Sequence, residues 1–190
     1  MAVSIIDFAA EPTSIDGLHI LTMKQVTDER GTVREFYRES AFLDAGLPSL
    51  GPWVQVNATE TRRGGLRGLH GEDMAKLVAV VAGEAFGAYV DTRPGSPSRG
   101  EVVTVTLEPG RQVLVPRGVA NGFQATAEVT QYLYCFDHEW QPGMAGVACS
   151  PIDPALGIEW PIPIDPGDRA QISEKDLNAP LFADLQGAPR

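Results

Sequence analysis

The sequence predicts an all-β protein, a jelly-roll β-barrel with short helical segments near the N- and C-termini. Three observations carry that expectation. Eight short strand-like runs follow one another between Trp53 and Phe136. Compact turn signals separate them, among them Arg63-Gly64-Gly65, Gly83-Glu84, Arg93-Pro94-Gly95-Ser96-Pro97 and Glu108-Pro109-Gly110. Twenty Gly and fifteen Pro in 190 residues suit many short strands joined by tight turns.

After a short opening segment, Leu18–Met23 reads as a strand, Asp28–Gly31 as a turn and Val33–Tyr37 as the next strand. Ser40–Leu47 reads as a short helix, with Ser40 as its cap and Gly46 near its end. The eight runs are Trp53–Ala58, Leu66–His70, Leu77–Val81, Ala85–Asp91, Val102–Leu107, Gln112–Val115, Gly122–Ala125 and Val129–Phe136. Beyond Trp140 the chain is Pro-rich, and Ser173–Leu185 carries a helical turn or two. No repeat, low-complexity tract or linker divides the chain, so residues 1–190 are expected to form one domain.

Composition narrows the function classes. With 43% hydrophobic and 21% charged residues the chain is an ordinary globular mix. A formal net charge of -10 argues against an extended nucleic-acid surface, which needs a basic face. A few arginines in a pocket could still hold one diphosphate. Cys135 and Cys149 are too few for a disulfide framework and fit reduced thiols in cytoplasm. The opening residues lack the basic start of a signal peptide, and no apolar run approaches the ~20 residues that span a bilayer. A cytoplasmic protein with no membrane partner is expected.

Three histidines, His19, His70 and His138, are spaced too far apart to suggest a transition-metal site. Strand alternation places Leu66, Gly68 and His70 on one face, with Arg67 and Leu69 on the other. Tyr132, Tyr134 and Phe136 alternate and form an aromatic wall, which alone would signify core packing. Taken singly, His70 reads as an ordinary strand histidine and Asp176 as a solvated turn residue.

Together, these features resemble the dTDP-4-dehydrorhamnose 3,5-epimerase family. Arg67-Gly68-Leu69-His70 followed by Lys76-Leu77-Val78 is similar to its RGLH…KLV signature. Val90-Asp91-Thr92-Arg93 with Gly95-Ser96-Pro97 resembles its VDxRxGSPT stretch, and residues 115–123 its IPEGFAHGF segment. Leu133-Tyr134 with Pro142, residues 153–161, Ser173-Glu174-Lys175-Asp176 and Ala179-Pro180 continue the resemblance in order. Upstream, Asp28-Glu29-Arg30-Gly31 with Glu35, and Val54-Gln55-Val56-Asn57, also fit. The likeness runs from about Gly17 to Pro180.

The resemblance implies a cupin-like barrel acting on a dTDP-4-keto-6-deoxyhexose, with inversion at C3 and C5 through an enolate. It implies His70 as base, Asp176 as the carboxylate that orients it, and Tyr134 as the acid on the other face. Lys76 would offset enolate charge, and Arg30 and Arg67 would bind diphosphate. Glu35, Gln55, Asn57, Asn121, Trp140 and Lys175 would make further substrate contacts. No cofactor is implied, since the ketone is itself the electron sink. A homodimer is implied, with N-terminal strands covering the partner and Arg30 and Glu35 serving the partner's pocket.

The pattern also departs from the family. Asn121 stands where the family carries histidine, Glu139 and Trp140 replace a tyrosine pair, and Gly71-Glu72 replaces an aromatic–Gln pair. The loop to Lys76 is shorter. These changes keep other readings open: an enzyme inverting only C3 or only C5, a ketoisomerase, or a nucleotide-sugar-binding cupin without catalysis.

Overall fold

A computed structural model describes residues 3–185. Two antiparallel sheets face one another. The first has six strands, β2 (Ala9–Pro12), β3 (His19–Thr22), β11 (Arg111–Val115), β8 (Lys76–Ala82), β13 (Val129–Phe136) and β6 (Gln55–Arg62), in that order. The second has five, β10 (Val102–Leu107), β9 (Ala85–Asp91), β12 (Val119–Ala125), β7 (Leu66–Glu72) and β14 (Gly146–Ala148). A third sheet holds β1 (Ser4–Ile6), β4 (Lys24–Asp28) and β5 (Gly31–Glu35). This is the expected jelly roll. Among the described residues no helix is long and apolar enough to cross a membrane.

Apolar residues pack in three layers, which explains why some strands read as unbroken hydrophobic runs. Between the two large sheets lie Val78, Val80, Val113, Tyr89, Phe123 and Tyr132. Behind the six-stranded sheet, Leu77, Leu114 and Cys135 pack against Phe42 of helix α1 (Glu39–Asp44) and against Leu47 and Leu50. Behind the five-stranded sheet, Leu69, Ala88, Val90 and Ala120 meet Cys149 and Leu156 of the C-terminal stretch. The central strands β8 and β9 are therefore covered on both faces and need apolar side chains at successive positions.

Strands Ala85–Asp91, Val102–Leu107 and Val129–Phe136 fall where the sequence puts them. Four strands were not legible as such. β1, β2 and β14 are short, and β4 mixes polar and apolar residues on a largely solvated sheet. The Asp28–Gly31 turn joins β4 to β5, but β5 ends at Glu35 and not at Tyr37, because the chain leaves to start α1. The Trp53–Ala58 run is displaced to Gln55–Arg62, since all eight residues pair with β13 even where they are polar. Ser40 does not cap α1. Arg38 occupies the cap position and no side chain bonds there.

The C-terminal stretch is pinned to β7. Leu66 N–H donates to the Gln171 carbonyl at 2.7 Å, and Leu69 and Cys149 exchange backbone bonds at 3.2 and 3.0 Å. Helix α2 (Glu174–Leu177) follows, capped by Ser173, whose hydroxyl accepts from Asp176 N–H at 3.1 Å. This anchoring carries Asp176 to β7.

Candidate active site

A cleft of about 510 Å³ opens between the two large sheets. His70, Arg67 and Glu72 reach it from β7 and Asn121 from β12. Asn57, Lys76 and Tyr134 line it from the six-stranded sheet, Trp140 lies at its rim, and Arg169, Lys175 and Asp176 come from the tail. The walls thus bring together nine of the twelve residues to which the family pattern assigns a role.

The strand-alternation reading of β7 needs correction. Arg67 and His70 line the same cleft although three positions separate them. The pairing of β7 with β12 slips between Asn121 and Phe123, so that Asn121 faces His70 while Phe123 faces Arg67. That irregularity spends one extra residue on β7 and reverses the parity, which a regular period of two forbids. Leu66 and Leu69 are buried, and Leu69 joins the layer behind the sheet.

His70 Nε2 lies 2.7 Å from Asp176 Oδ1. Asp176 is buried, and burial pushes its carboxyl up. Hydrogen bonding and charge from His70, then bonds from Ser173 and the Gly68 backbone, outweigh burial and bring it below the ordinary carboxylate value. The carboxylate is thus held as an anion against the imidazole.

On the facing sheet Tyr132, Tyr134 and Phe136 share a face of β13, as alternation predicts. Their surroundings differ. Tyr132 is fully buried and stacks on Phe123 with ring centroids 4.0 Å apart. Tyr134 and Phe136 stack at 6.0 Å and line the cleft. Burial first pushes the Tyr134 phenol up to about 12; hydrogen bonding with Thr59 and the charge of Arg67 oppose it, and Glu72 adds to it. The phenol keeps its proton through the neutral range.

Lys76 is buried and forms an ion pair with Glu72. Burial draws its ammonium below the ordinary lysine value, while the Glu72 charge and hydrogen bonding work the other way. Arg67 Nε donates to Thr61 Oγ1 at 3.1 Å. Gln55 stands just behind the lining: its Oε1 accepts from Trp140 N–H at 2.7 Å and its Nε2 donates to Asn57 Oδ1 at 3.1 Å. It therefore fixes two residues that do line the cleft.

Arg30 and Glu35 lie outside the cleft of their own chain. Arg30 sits at the tip of the β4–β5 hairpin, its side chain 90% exposed and paired with Asp28. Glu35 pairs with Arg38. Sequence reasoning did not assign Glu72 or Arg169 to the site. Glu72 was detectable, two residues beyond His70 on the same strand face, whereas nothing in the loop around Arg169 marks it.

A family model described as dTDP-4-dehydrorhamnose 3,5-epimerase matches residues 12–184. The chain belongs to that epimerase family. It is 37% identical over 176 residues to the dTDP-4-dehydrorhamnose 3,5-epimerase of Salmonella typhimurium, covering 90% of this chain and 93% of that protein. To the Methanothermobacter thermautotrophicus epimerase it is 36% identical over 178 residues, covering 90% and 93%. Among solved structures it resembles NovW, a 4-keto-6-deoxy sugar epimerase from Streptomyces spheroides. The TM-score is 0.84 at 29% identity, with 97% of this chain and 92% of that one covered. It also resembles ChmJ, a 3'-monoepimerase from Streptomyces bikiniensis in complex with dTDP-quinovose, with TM-score 0.82, 30% identity and coverage of 91% and 87%. The epimerase motifs Arg67–His70 and Ser173–Asp176 are the segments that supply the imidazole and its carboxylate.

Proposed function

We propose that this protein epimerises C3 and C5 of a dTDP-4-keto-6-deoxyhexose. One observation carries the reading. An imidazole held by a buried carboxylate stands on one wall of the cleft, and a phenol stands on the wall supplied by the other sheet. The C4 ketone acidifies the neighbouring C–H bonds. His70 removes a proton through the ring nitrogen that Asp176 does not hold, and the electron pair passes to the ketone oxygen. Tyr134 returns a proton from the opposite face, which inverts the carbon. Lys76 contributes positive charge to the wall during this step.

Arg67 and Lys175 suit the diphosphate, as guanidinium and ammonium suit paired phosphate oxygens. Trp140, 51% exposed at the rim, offers a flat face to the thymine ring. Asn57, held by Gln55, contacts the sugar. The ketone serves as electron sink, so the reaction requires no cofactor from the protein.

The test is incubation with dTDP-4-keto-6-deoxyglucose in D₂O, with the label located by NMR. Deuterium at both C3 and C5 is the expected result. Label at one centre would favour the single-centre reading, to which the likeness to ChmJ lends weight. A ketone moved to C3 would indicate a ketoisomerase, and dTDP binding without any label a binding protein.

The reading extends to a homodimer of one-domain chains in the cytoplasm. The third sheet leaves Ile5, Ile6 and Val33 exposed, Val54 and Val56 are exposed at the start of β6, and β6 is an edge strand of the six-stranded sheet, features that favour pairing. In such a dimer Arg30 and Glu35 would reach the partner's cleft. Both cysteines are buried and free, which suits a reducing compartment. Size-exclusion chromatography with light scattering should give twice the chain mass; a monomer at working concentration would contradict the pairing.

A further inference from the structure

Lys76 begins β8 in the six-stranded sheet and reaches across to the five-stranded one. An ammonium has three N–H donors and no acceptor. Three acceptors surround this one: the His70 carbonyl at 3.1 Å, Asn121 Oδ1 at 2.6 Å and the Glu72 carboxylate in an ion pair. Two N–H bonds are committed to protein acceptors and the charge is paired with Glu72, so a substrate oxygen would compete with these contacts for the ammonium.

Its contact with Asn121 fixes which way that amide points. An ammonium only donates, so the atom it meets must be the amide oxygen, and the Nδ2 group with its two N–H bonds is turned away from it. Nδ2 makes no hydrogen bond to the protein among the described residues, yet it is not sealed from solvent. Asn121 lines the cleft and lies directly opposite His70 in the β12–β7 register. Side chains at directly opposed strand positions are neighbours, with Cβ atoms roughly 4.5–5.5 Å apart. Its backbone is fixed between β7 and β9. A rigid donor with spare N–H bonds therefore adjoins the base.

We propose that Asn121 is a further catalytic residue, whose Nδ2 hydrogen-bonds the C4 oxygen of the sugar and the enolate oxygen that follows it. The inference rests on the keto-sugar reading above. When His70 takes the proton, the C–H electron pair forms the C–C double bond and the carbonyl π pair moves onto oxygen. The amide N–H groups meet that charge where it develops. By donating to the amide oxygen, Lys76 polarises the Asn121 N–H bonds. Glu72 completes the set as a positioning residue, since its carboxylate keeps company with the buried ammonium. The departures Asn121 and Glu72 thus belong to one linked arrangement.

The experiment follows label uptake from D₂O into dTDP-4-keto-6-deoxyglucose, with dTDP binding measured by calorimetry. Asn121→Asp keeps an acceptor for Lys76 but has no N–H, and Asn121→Leu removes the donor without adding charge. Both should lose about 10²- to 10³-fold in label uptake, the effect of deleting one oxyanion donor, with dTDP affinity at the wild-type value. Asn121→His returns a ring N–H and should stay within about tenfold of wild type, as a donor of another geometry would. Wild-type exchange in Asn121→Leu would overturn the proposal, because the loss in Asn121→Asp would then be charge repulsion alone. So would Asn121→His falling as far as Asn121→Leu. Wild-type protein that takes up no label would instead sink the keto-sugar reading itself.

Discussion

His70→Ala should lower deuterium uptake into dTDP-4-keto-6-deoxyglucose by roughly 10²- to 10⁴-fold, the span usually lost with a general base. The fold should survive, because His70 is half-exposed to the cleft and belongs to none of the three packed layers. Circular dichroism and a melting curve check that part. Asp176→Asn should reproduce much of the kinetic loss, since the amide can neither hold the imidazole as the carboxylate does nor stabilise it once protonated. Wild-type exchange by His70→Ala would show that another group removes the proton.

Tyr134→Phe should separate exchange from inversion. The base wall is untouched, so the first proton should still be removed and replaced from solvent on the same side. Delivery from the opposite face should fall by roughly 10²- to 10⁴-fold, the range for a lost general acid. The phenol is suited to that task because burial pushes it up to about 12, which keeps it protonated at every ordinary assay pH. Inversion by the wild-type protein should accordingly show no limb from Tyr134 in the neutral range; its loss as an acid would come only as pH approaches 12. NMR resolves the two quantities, label retained with original configuration against epimerised product. Equal loss of both would make Tyr134 a packing residue, like Tyr132 one pleat behind it.

Much of the barrel was legible because its central strands are covered on both faces. Ala85–Asp91 and Val129–Phe136 carry apolar residues at positions that packing demands, and turn residues bracket them. Where covering is absent the signal fades. β6 is an edge strand with many polar residues and only one covered neighbour, and β1 and β2 are short and mostly exposed. Ser40 suits a cap by its side chain, but α1 begins at Glu39 with Arg38 at the cap position and no side-chain cap bond.

The site was legible only in part, for a related reason. His70, Tyr134 and Asp176 could be named from motifs, but 106 positions separate the imidazole from its carboxylate. Only the docking of the tail on β7 closes that gap. The shared cleft of Arg67 and His70 contradicts simple alternation and depends on a slip in strand pairing. The pairing of Glu72 with Lys76 is set by the approach of β7 to β8.

The amino-acid sequence by itself determined the all-β class and the acidic character of the chain, which follow from hydrophobic spacing and composition. Its resemblance to the epimerase family, and not local side-chain chemistry, singled out His70, Tyr134 and Asp176 as candidate reacting groups. Tertiary structure alone decided that His70 and Tyr134 line one cleft from different sheets and that Lys76 is held by His70, Asn121 and Glu72. It also decided that the Asn121 amide turns its N–H groups from the lysine. Each depends on distances between strands remote in sequence, which pairing register and packing set and no local pattern encodes.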